Sequence, residues 1–368
     1  MPLVALGGSI EVLAEKRKTM AQNIGIGLIG YGFAGKTLHA PLINATEGLT
    51  LAAVSSSHAD IVRADLPGVA VAADPTEIIN NPAVELVVIP TPNETHFPLA
   101  KQALLAGKHV IVDKPFTVTL SQAQELRTLA EDRNVLLSVF HNRRWDSDFL
   151  TVQQLIRDGE LGDVLYLQSQ YDRFRPEVMP RWREQPGAGS GIWYDLAPHL
   201  IDQIVVLFGM PVAINAELVL LRPGALTDDY FHATLIYPQR RVVLHGCMSA
   251  AAQTPRFTIH GTKGSYTKFG LDSQEANLKK GVYPPQPDWG VDPLDGVLTL
   301  PQQDGTFIDR TVPTVPGNYP AYYAAIRDAI RGHGSNPVTA SAAINVMELI
   351  ELGILSSEQK KTLVVKQG

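Results

Sequence analysis

The sequence predicts two domains of different fold class: an α/β domain with a doubly wound parallel sheet, then an α+β domain built on a mostly antiparallel open sheet. Through residues 23–141, short apolar runs alternate with helical stretches, which is typical of parallel strands covered by helices. Through residues 142–368, strand-like segments follow one another with turns between them, which is typical of antiparallel strands. The length of 368 residues also favours two domains over one.

Composition limits the class of protein. Hydrophobic residues make up 45% and charged residues 18%, which is ordinary for a globular protein. The net charge of −6 argues against nucleic acid and anionic membranes as partners, because both require a basic surface. The apolar runs are of strand length, so no membrane-spanning helix is predicted. Cys247 is the single cysteine, which excludes an intrachain disulfide and favours a cytoplasmic location.

The first segment, residues 1–22, is predicted to be a poorly ordered extension. Its charged residues follow a weak apolar patch, whereas a secretory signal carries its basic residues ahead of the apolar stretch. Met20 is an alternative start, which an N-terminal mass measurement of the native protein would test.

A glycine-rich loop follows the first predicted strand. The apolar run Ile24–Ile29 leads directly into Gly30, Gly32 and Gly35, and a helix is predicted after them. This order is the fingerprint of a dinucleotide-binding Rossmann unit, in which the glycines allow a tight turn, close approach of the pyrophosphate and close helix packing. Phe33, inside the loop, is a further candidate cofactor contact. The alternative interpretation is a plain glycine-rich turn.

The remaining elements of this half continue the alternation. The predicted strands are 50–54, 69–72, 85–89, 110–112 and 135–140, and the predicted helices are 36–45, 94–106 and 121–133, the last with Ser121 as its N-cap.

The end of the second strand bears on the choice of dinucleotide. NAD sites usually carry an acidic residue there, about 20 residues past the glycines, which binds the ribose 2′-hydroxyl. This chain has Ser55, Ser56 and Ser57 instead, with Arg63 nearby. Serine hydroxyls can bond to a 2′-phosphate, so NADP is favoured and NAD stays possible. The alternative is that this loop is a turn and Asp60 is the ribose-binding acid of an NAD site.

Polar residues follow the fourth and fifth strands, whose carboxyl ends face the ligand in such sheets. Thr91, Asn93 and His96 are candidates for contacts near the nicotinamide, although Asn93 is equally suited to cap the next helix. Lys114 ends the fifth strand and directs its charge at the cleft. We expect it to polarise a reacting oxygen or to handle a proton.

The second half contains five predicted strands, and one face of their sheet needs covering. A homodimer or homotetramer through this sheet is therefore expected. The strands are 164–171, 213–221, 230–237, 241–248 and 256–260.

Asp195 and His199 follow a glycine-rich loop and are four residues apart, which places both on one face of a helix. Histidine is the natural acid or base near neutral pH, so the pair is a candidate catalytic site. An ordinary amphipathic helix is the alternative. Pro198 predicts that the helix kinks there or begins later. No metal is predicted, because no third ligand lies near the pair.

Four residues are candidates for binding a polyhydroxylated substrate through stacking and hydrogen bonds. Interdomain packing is the alternative, and it is favoured for most of the neighbouring arginines. The four candidates are Asn142, Trp145, Tyr171 and Trp182.

Together these motifs resemble the glucose–fructose oxidoreductase/inositol dehydrogenase (Gfo/Idh/MocA) family from residue 23 onward. In that family a Glu-Lys-Pro motif ends the fifth strand, where this chain has Asp113-Lys114-Pro115. Asp195 and His199 match the family's Asp-x-x-x-His motif. Longer stretches are similar to one branch, the bacterial NADP-dependent scyllo-inositol dehydrogenases. These stretches include residues 136–150 and 175–184.

The resemblance implies an NADP-dependent oxidoreductase that acts on a secondary alcohol or ketone of a cyclitol or sugar, of the scyllo-inositol or inosose kind. It implies that Lys114 stabilises the alkoxide and lowers the pKa of His199, which donates the proton during reduction. Asp195 would hold the histidine or a neighbouring hydroxyl. Two alternatives are another sugar or dihydrodiol dehydrogenase and a non-catalytic dinucleotide-binding sensor. The basic residue that the branch tends to carry beside the serines after the second strand is absent here.

Overall fold

The structure is a computed structural model that describes residues 23–366. The predictions for residues 1–22 lie outside this range. The described chain forms two sheets, one parallel and one mostly antiparallel, so the predicted combination of α/β and α+β folds is confirmed.

The first sheet has the strand order β3-β2-β1-β4-β5-β6, and all five strand pairs are parallel. This is the order of a dinucleotide-binding sheet, and it reverses between β1 and β4, where such sheets bind ligands. The strands are apolar because helices cover both faces. They are β1 Ile24–Ile29, β2 Leu49–Ser55, β3 Ala70–Ala72, β4 Leu86–Ile89, β5 His109–Val112 and β6 Leu137–Val139.

The first helix, α1, follows the glycine loop as a π-helical turn, Gly35–His39, and continues as Ala40–Asn44. The other helices of this domain are α2 Ala59–Asp65, α3 Pro75–Ile79, α4 Asn93–Leu105 and α5 Leu120–Arg133.

The predicted N-cap of α5 is one correction. Thr119, in an extended conformation, precedes α5, and its hydroxyl accepts a hydrogen bond from the backbone N–H of Gln122. Ser121 therefore lies inside the first turn and does not cap the helix.

The second sheet has nine strands in the order β14-β13-β12-β11-β7-β10-β9-β8-β15, and β7 with β10 is its parallel pair. Four strands were missing from the sequence prediction: β12, β13, β14 and β15. Phe307–Val312 is mostly exposed and its apolar residues do not alternate with polar ones, which shows why an edge strand is hard to detect. The strands are β7 Val164–Asp172, β8 Ala213–Val219, β9 Tyr230–Ile236, β10 Arg241–Cys247, β11 Pro255–Gly261, β12 Ser265–Phe269, β13 Gly296–Pro301, β14 Phe307–Val312 and β15 Leu363–Val364.

The helices of this half include two short 3₁₀ turns. The 3₁₀ turns are Asn142–Trp145 and Trp182–Glu184, and the helices are α6 Ser147–Arg157, α7 Gly191–Phe208, α8 Gln274–Lys279, α9 Pro320–Ile330 and α10 Ala340–Gln359.

The helix α7 carries the Asp-x-x-x-His motif and begins well before Pro198. The expectation that it begins later is wrong. Asp228 supplies the missing cap from another segment: its carboxylate accepts a hydrogen bond of 2.6 Å from the N–H of Trp193. The buried side chains of α7 then pack into the second core, so tertiary packing outweighs the cost of an internal proline.

The last helices join the two domains. Tyr322 and Tyr323 of α9 belong to the first core. Met347 of α10 faces the same core, whereas Ile350 of α10 faces the second. By length and composition, α10 is the one described helix apolar enough to cross a membrane, but half of that stretch is buried inside the fold.

Candidate active site

A cavity of about 420 Å³ lies between the two domains at the carboxyl ends of the parallel strands. It contains the predicted triad of Lys114, Asp195 and His199. Other residues around it include Phe33, Thr91, Asn93, Asp113, Asn142, Arg143, Arg173, Arg175, Arg181, Arg183, Glu184, Arg222, Asp228, Glu275 and Lys279.

The glycine loop has the geometry that a dinucleotide requires. Gly30 has a φ of +104°, which favours glycine. A Cβ on Gly35 would lie 2.1 Å from the carbonyl oxygen of Gly30, so only glycine lets the helix pack this closely. A Cβ on Gly32 would meet no atom of the described residues within 4 Å, and its backbone is therefore open to a pyrophosphate. The residues present fit a bound dinucleotide, with the N–H groups that begin α1 beside the phosphates.

The serine loop after β2 adjoins the glycine loop, because the carbonyl of Ser55 accepts a hydrogen bond of 2.9 Å from Gly30. The Ser56 hydroxyl accepts a hydrogen bond from the backbone of His58, and Ser57 is exposed. Asp60 lies in the first turn of α2, where it contacts Arg63 at 3.4 Å. The loop itself therefore presents hydroxyls and no carboxylate.

The residues after β4 have separate roles. Pro92 occupies the N-cap position of α4, and the side chain of Asn93 instead donates a hydrogen bond of 2.8 Å to the carbonyl of Gly189 across the cleft. The capping interpretation of Asn93 is thus wrong. Thr91 lines the cavity. His96 is 1% exposed, and its two ring nitrogens face backbone carbonyls at 2.8 and 2.9 Å, so it shapes the loops behind the cavity and does not line it.

Lys114 and Asp195 form a close pair across the cleft. The ammonium of Lys114 donates to the backbone carbonyl of Asp195 at 2.8 Å and to its carboxylate at 3.1 Å. Arg173 and Arg183 lie 3.8 and 3.4 Å from the same carboxylate. Burial alone would raise the pKa of the Asp195 carboxyl, but the three cations lower it below its usual range. The Asp195 carboxyl is therefore ionised at neutral pH.

His199 is 7% exposed and lines the cavity. Burial, followed by the charge of Lys114, lowers its pKa well below the usual range, so the imidazole is neutral at pH 7. Its Nδ1 has no hydrogen-bond partner among the described residues. The carboxylate of Asp195 contacts Lys114 and the arginines, so the expectation that Asp195 holds the histidine is wrong for this structure.

Asp113 anchors the backbone at Lys114. One carboxylate oxygen accepts a hydrogen bond of 2.7 Å from the N–H of Lys114. The other lies 3.5 Å from the ring of His39, whose second nitrogen is 2.6 Å from the hydroxyl of Tyr323. His39 and Tyr323 were not predicted as site residues, and a buried histidine on the loop helix was the available signal.

Among the four predicted substrate residues, Asn142 lines the cavity. Trp145 packs against the first core, edge-on to a tyrosine of α9 at 5.5 Å. Tyr171 is 2% exposed, between the guanidinium groups of two arginines, and burial raises its pKa to about 12. Trp182 is 40% exposed and stacks on Arg183 at 4.3 Å.

The arginines of the second domain were mostly assigned to packing by the sequence prediction, yet several line the cavity. Arg222 is buried and donates to the carbonyls of Arg175 and Glu177 at 2.8 and 3.0 Å, which fixes the loop that carries them. The guanidinium of Arg175 makes no hydrogen bond or ion pair with any residue in 23–366, and burial and neighbouring arginines lower its pKa. The arginines form one wall of the cavity, and their positive charge favours ligands with electron-rich oxygen atoms. No group of three or more metal-ligating side chains occurs within the same range.

A dinucleotide-binding domain whose cleft holds a lysine, a neutral histidine and a wall of arginines defines an NAD(P)-dependent oxidoreductase. Comparison with known proteins agrees. Residues 24–141 match the model of the oxidoreductase family's NAD-binding Rossmann fold, and residues 153–366 match its C-terminal alpha/beta domain. The chain belongs to the Gfo/Idh/MocA oxidoreductase family.

Several relatives are similar along their whole length. The uncharacterized oxidoreductase YdgJ of Escherichia coli is 62% identical over 94% of this chain and 99% of its own. The scyllo-inositol 2-dehydrogenase (NADP(+)) IolW of Bacillus subtilis is 40% identical over 97% of this chain and 99% of its own. The structure of YPO2259, a candidate oxidoreductase from Yersinia pestis, superposes with a TM-score of 0.91 at 57% identity, over 95% of this chain and 99% of that one.

Proposed function

We propose that this enzyme is an NADP(H)-dependent dehydrogenase that interconverts a secondary alcohol and a ketone on a cyclitol or sugar of the scyllo-inositol or inosose kind. The observation that supports it most is the cleft between the glycine loop and α7, where Lys114 and His199 line one cavity. When bound, the nicotinamide accepts or supplies the hydride.

Lys114 and His199 divide the remaining chemistry. The ammonium of Lys114 stabilises the negative charge that develops on the substrate oxygen. The neutral imidazole of His199 accepts the hydroxyl proton during oxidation and returns it during reduction. Asp195 is a positioning residue: it holds the lysine ammonium at 2.8 and 3.1 Å from two of its oxygens.

The preference for NADP is supported by the serine loop. Ser56 and Ser57 present hydroxyls at the end of β2, where a carboxylate would repel a 2′-phosphate. Ser55 is buried, and its hydroxyl instead donates to the carbonyl of Ala73 at 3.5 Å. The name of IolW, which is 40% identical, specifies NADP(+). A Ser57→Asp variant tests this: its affinity for NADPH should fall while that for NADH is retained or rises.

The polyol class is supported by the wall of the cavity. Arginine guanidiniums and the amide of Asn142 supply many hydrogen-bond donors in a space of about 420 Å³, which suits a ring with several hydroxyls. IolW is named for scyllo-inositol. The same wall suits related sugars, so the substrate is identified here as a class.

A ligand screen and an activity assay test the function. Thermal shift with NADPH, NADH and a panel of cyclitols and sugars should show stabilisation by a dinucleotide, because a ligand that binds the native state raises its apparent stability. Absorbance of NADPH should then fall in the presence of inosose-type ketones. Oxidation or reduction confined to substrates without a polyol ring would contradict the proposal.

We further propose a cytoplasmic homodimer or homotetramer that assembles through the outer face of the second sheet. Thr234 and Val243 pair on neighbouring strands of this sheet, and their flanking residues belong to the inner core, so these two side chains point outward. Val243 is buried within the subunit and Thr234 is half-buried, so a Thr234→Arg variant is the better test and should shift the mass measured by light scattering toward the monomer. A wild-type protein that is monomeric at micromolar concentration would contradict the assembly.

A further inference from the structure

A segment of the second domain lies over the glycine loop of the first. The short helix α8 contacts α1. Trp289, which follows α8, packs against the first core, and its indole N–H donates to the side chain of Gln274 at 3.0 Å. Gln274 is fully buried. These contacts hold α8 against the dinucleotide-binding domain, although it belongs to the other domain in sequence.

Lys279 ends α8 and reaches the glycine loop. Its ammonium lies 5.4 Å from the centre of the Phe33 ring, and Phe33 is an internal residue of the Gly-x-Gly-x-x-Gly motif. Both residues line the cavity. A positive charge therefore lies beside a side chain of the loop at which a pyrophosphate approaches the backbone, and it faces the same cavity.

The loop itself supplies no such charge. Its variable residues are Tyr31, Phe33 and Ala34. Lys36, at the start of α1, pairs with Asp65 at 2.6 Å. A cation from the second domain would complement the two negative phosphates better than the loop alone.

We propose that Lys279 binds the pyrophosphate of the dinucleotide from the second domain, opposite the glycine loop. The inference rests on the proposed dinucleotide-dependent function and adds a contact that couples the two domains through the cofactor.

The surroundings of Lys279 allow it to change partner. Its side chain is 49% exposed and pairs with Glu275 at 2.5 Å. Glu275 also pairs with Arg143 at 2.5 Å. If Lys279 turns toward a phosphate, Arg143 still compensates the carboxylate, so no charge is left unpaired in the cleft.

Binding measurements on Lys279→Met test the proposal, with Lys280→Met as the matched control. Lys280 is the next residue and is exposed, and no ion pair within residues 23–366 involves it. We expect Lys279→Met to weaken the binding of NADPH, measured by fluorescence titration, and of ADP-ribose, measured by calorimetry, each by about three- to fivefold, the loss typical of one partly exposed charged contact. Lys280→Met should match the wild type. Adenosine 2′-monophosphate, which lacks the pyrophosphate, should bind all three proteins equally.

The outcomes separate the inference from the function on which it rests. A wild type that binds neither NADPH nor NADH overturns the proposed function itself. If Lys279→Met binds dinucleotide as tightly as the wild type does, only the role of Lys279 is overturned. If Lys279→Met loses as much affinity for adenosine 2′-monophosphate as for NADPH, the contact is with the 2′-phosphate and the pyrophosphate assignment is overturned. Lys279→Arg restores the positive charge and should recover the affinity for NADPH. If the thermal stability of both variants matches that of the wild type, the loss in Lys279→Met comes from the lost contact and not from a damaged fold.

Discussion

Replacing Lys114 by methionine removes the ammonium and keeps most of the side-chain volume. The lost group is a charged donor, 14% exposed, that the structure holds 2.8 Å from one oxygen of Asp195 and 3.1 Å from another. One preorganised donor at a developing oxyanion is worth about 3–4 kcal/mol, so kcat should fall roughly 100- to 1000-fold. The fold should survive, because Arg173 and Arg183 still compensate the Asp195 carboxylate.

The same change acts on His199. Burial is the largest cause of the lowered pKa of the imidazole, and the positive charge of Lys114 is the second largest. Its loss raises that pKa toward the ordinary value. Oxidation of the alcohol requires the neutral imidazole, so the acid limb of kcat/KM moves to higher pH in Lys114→Met.

The assay is steady-state oxidation of a polyol across the pH range, together with fluorescence titration of NADPH. Lys101→Met is a suitable control, since Lys101 lies on the outside of α4 and pairs with Glu125 at 2.6 Å. The dissociation constant for NADPH should change less than about threefold in either variant. A kcat for Lys114→Met within about fivefold of wild type, or a loss of activity that only mirrors lost cofactor affinity, would refute the role of Lys114 at the reacting oxygen.

Three further predictions concern the cofactor loop and α7. Gly35→Ala places a methyl 2.1 Å from a loop carbonyl and should lower the free energy of unfolding by about 1–3 kcal/mol. The methyl of Gly32→Ala meets no atom of residues 23–366 within 4 Å, so this variant should keep its stability in urea titration and lose dinucleotide affinity. Burial raises the pKa of Asp228 to about 6, so stability that is present below about pH 4 is lost as the pH rises through 6, by up to about 3 kcal/mol. Urea denaturation of Asp228→Asn should show no such fall. If the pH profile of Asp228→Asn matches that of the wild type, the burial argument is contradicted. Gly353→Ala places a methyl 2.3 Å from the Trp193 ring and should lower the melting temperature by several degrees, a loss of about 1–3 kcal/mol.

The local pattern of the sequence was sufficient to predict the fold of the first domain and its cofactor loop. The order of strand, Gly-x-Gly-x-x-Gly and helix predicts a dinucleotide site because each glycine answers a steric demand that lies within a few residues, such as the close approach of Gly35 to Gly30. Lys114 was identified in the same way, since a buried strand that ends in lysine points its charge at the edge of the sheet. In both cases the physical cause is short-range in the chain.

The second domain was less predictable for a physical reason. Three of the eight strand pairs in its sheet join strands that are not consecutive in the chain: β7 with β10, β7 with β11, and β8 with β15. An edge strand such as Phe307–Val312 is also so exposed that it shows no regular apolar pattern. The start of α7 depends on the carboxylate of Asp228, which lies outside the helix in sequence. No local rule predicts a cap that comes from another segment.

The sequence by itself determined the fold class and the glycine loop, and it predicted Lys114, Asp195 and His199 as the candidate catalytic residues. Tertiary structure decided how those residues interact: Asp195 compensates Lys114, and Nδ1 of His199 has no hydrogen-bond partner within residues 23–366. It also brought Lys279 of the second domain to the cofactor loop of the first. These relations depend on the distance and burial of charges that are far apart along the chain, and only the folded arrangement sets either quantity.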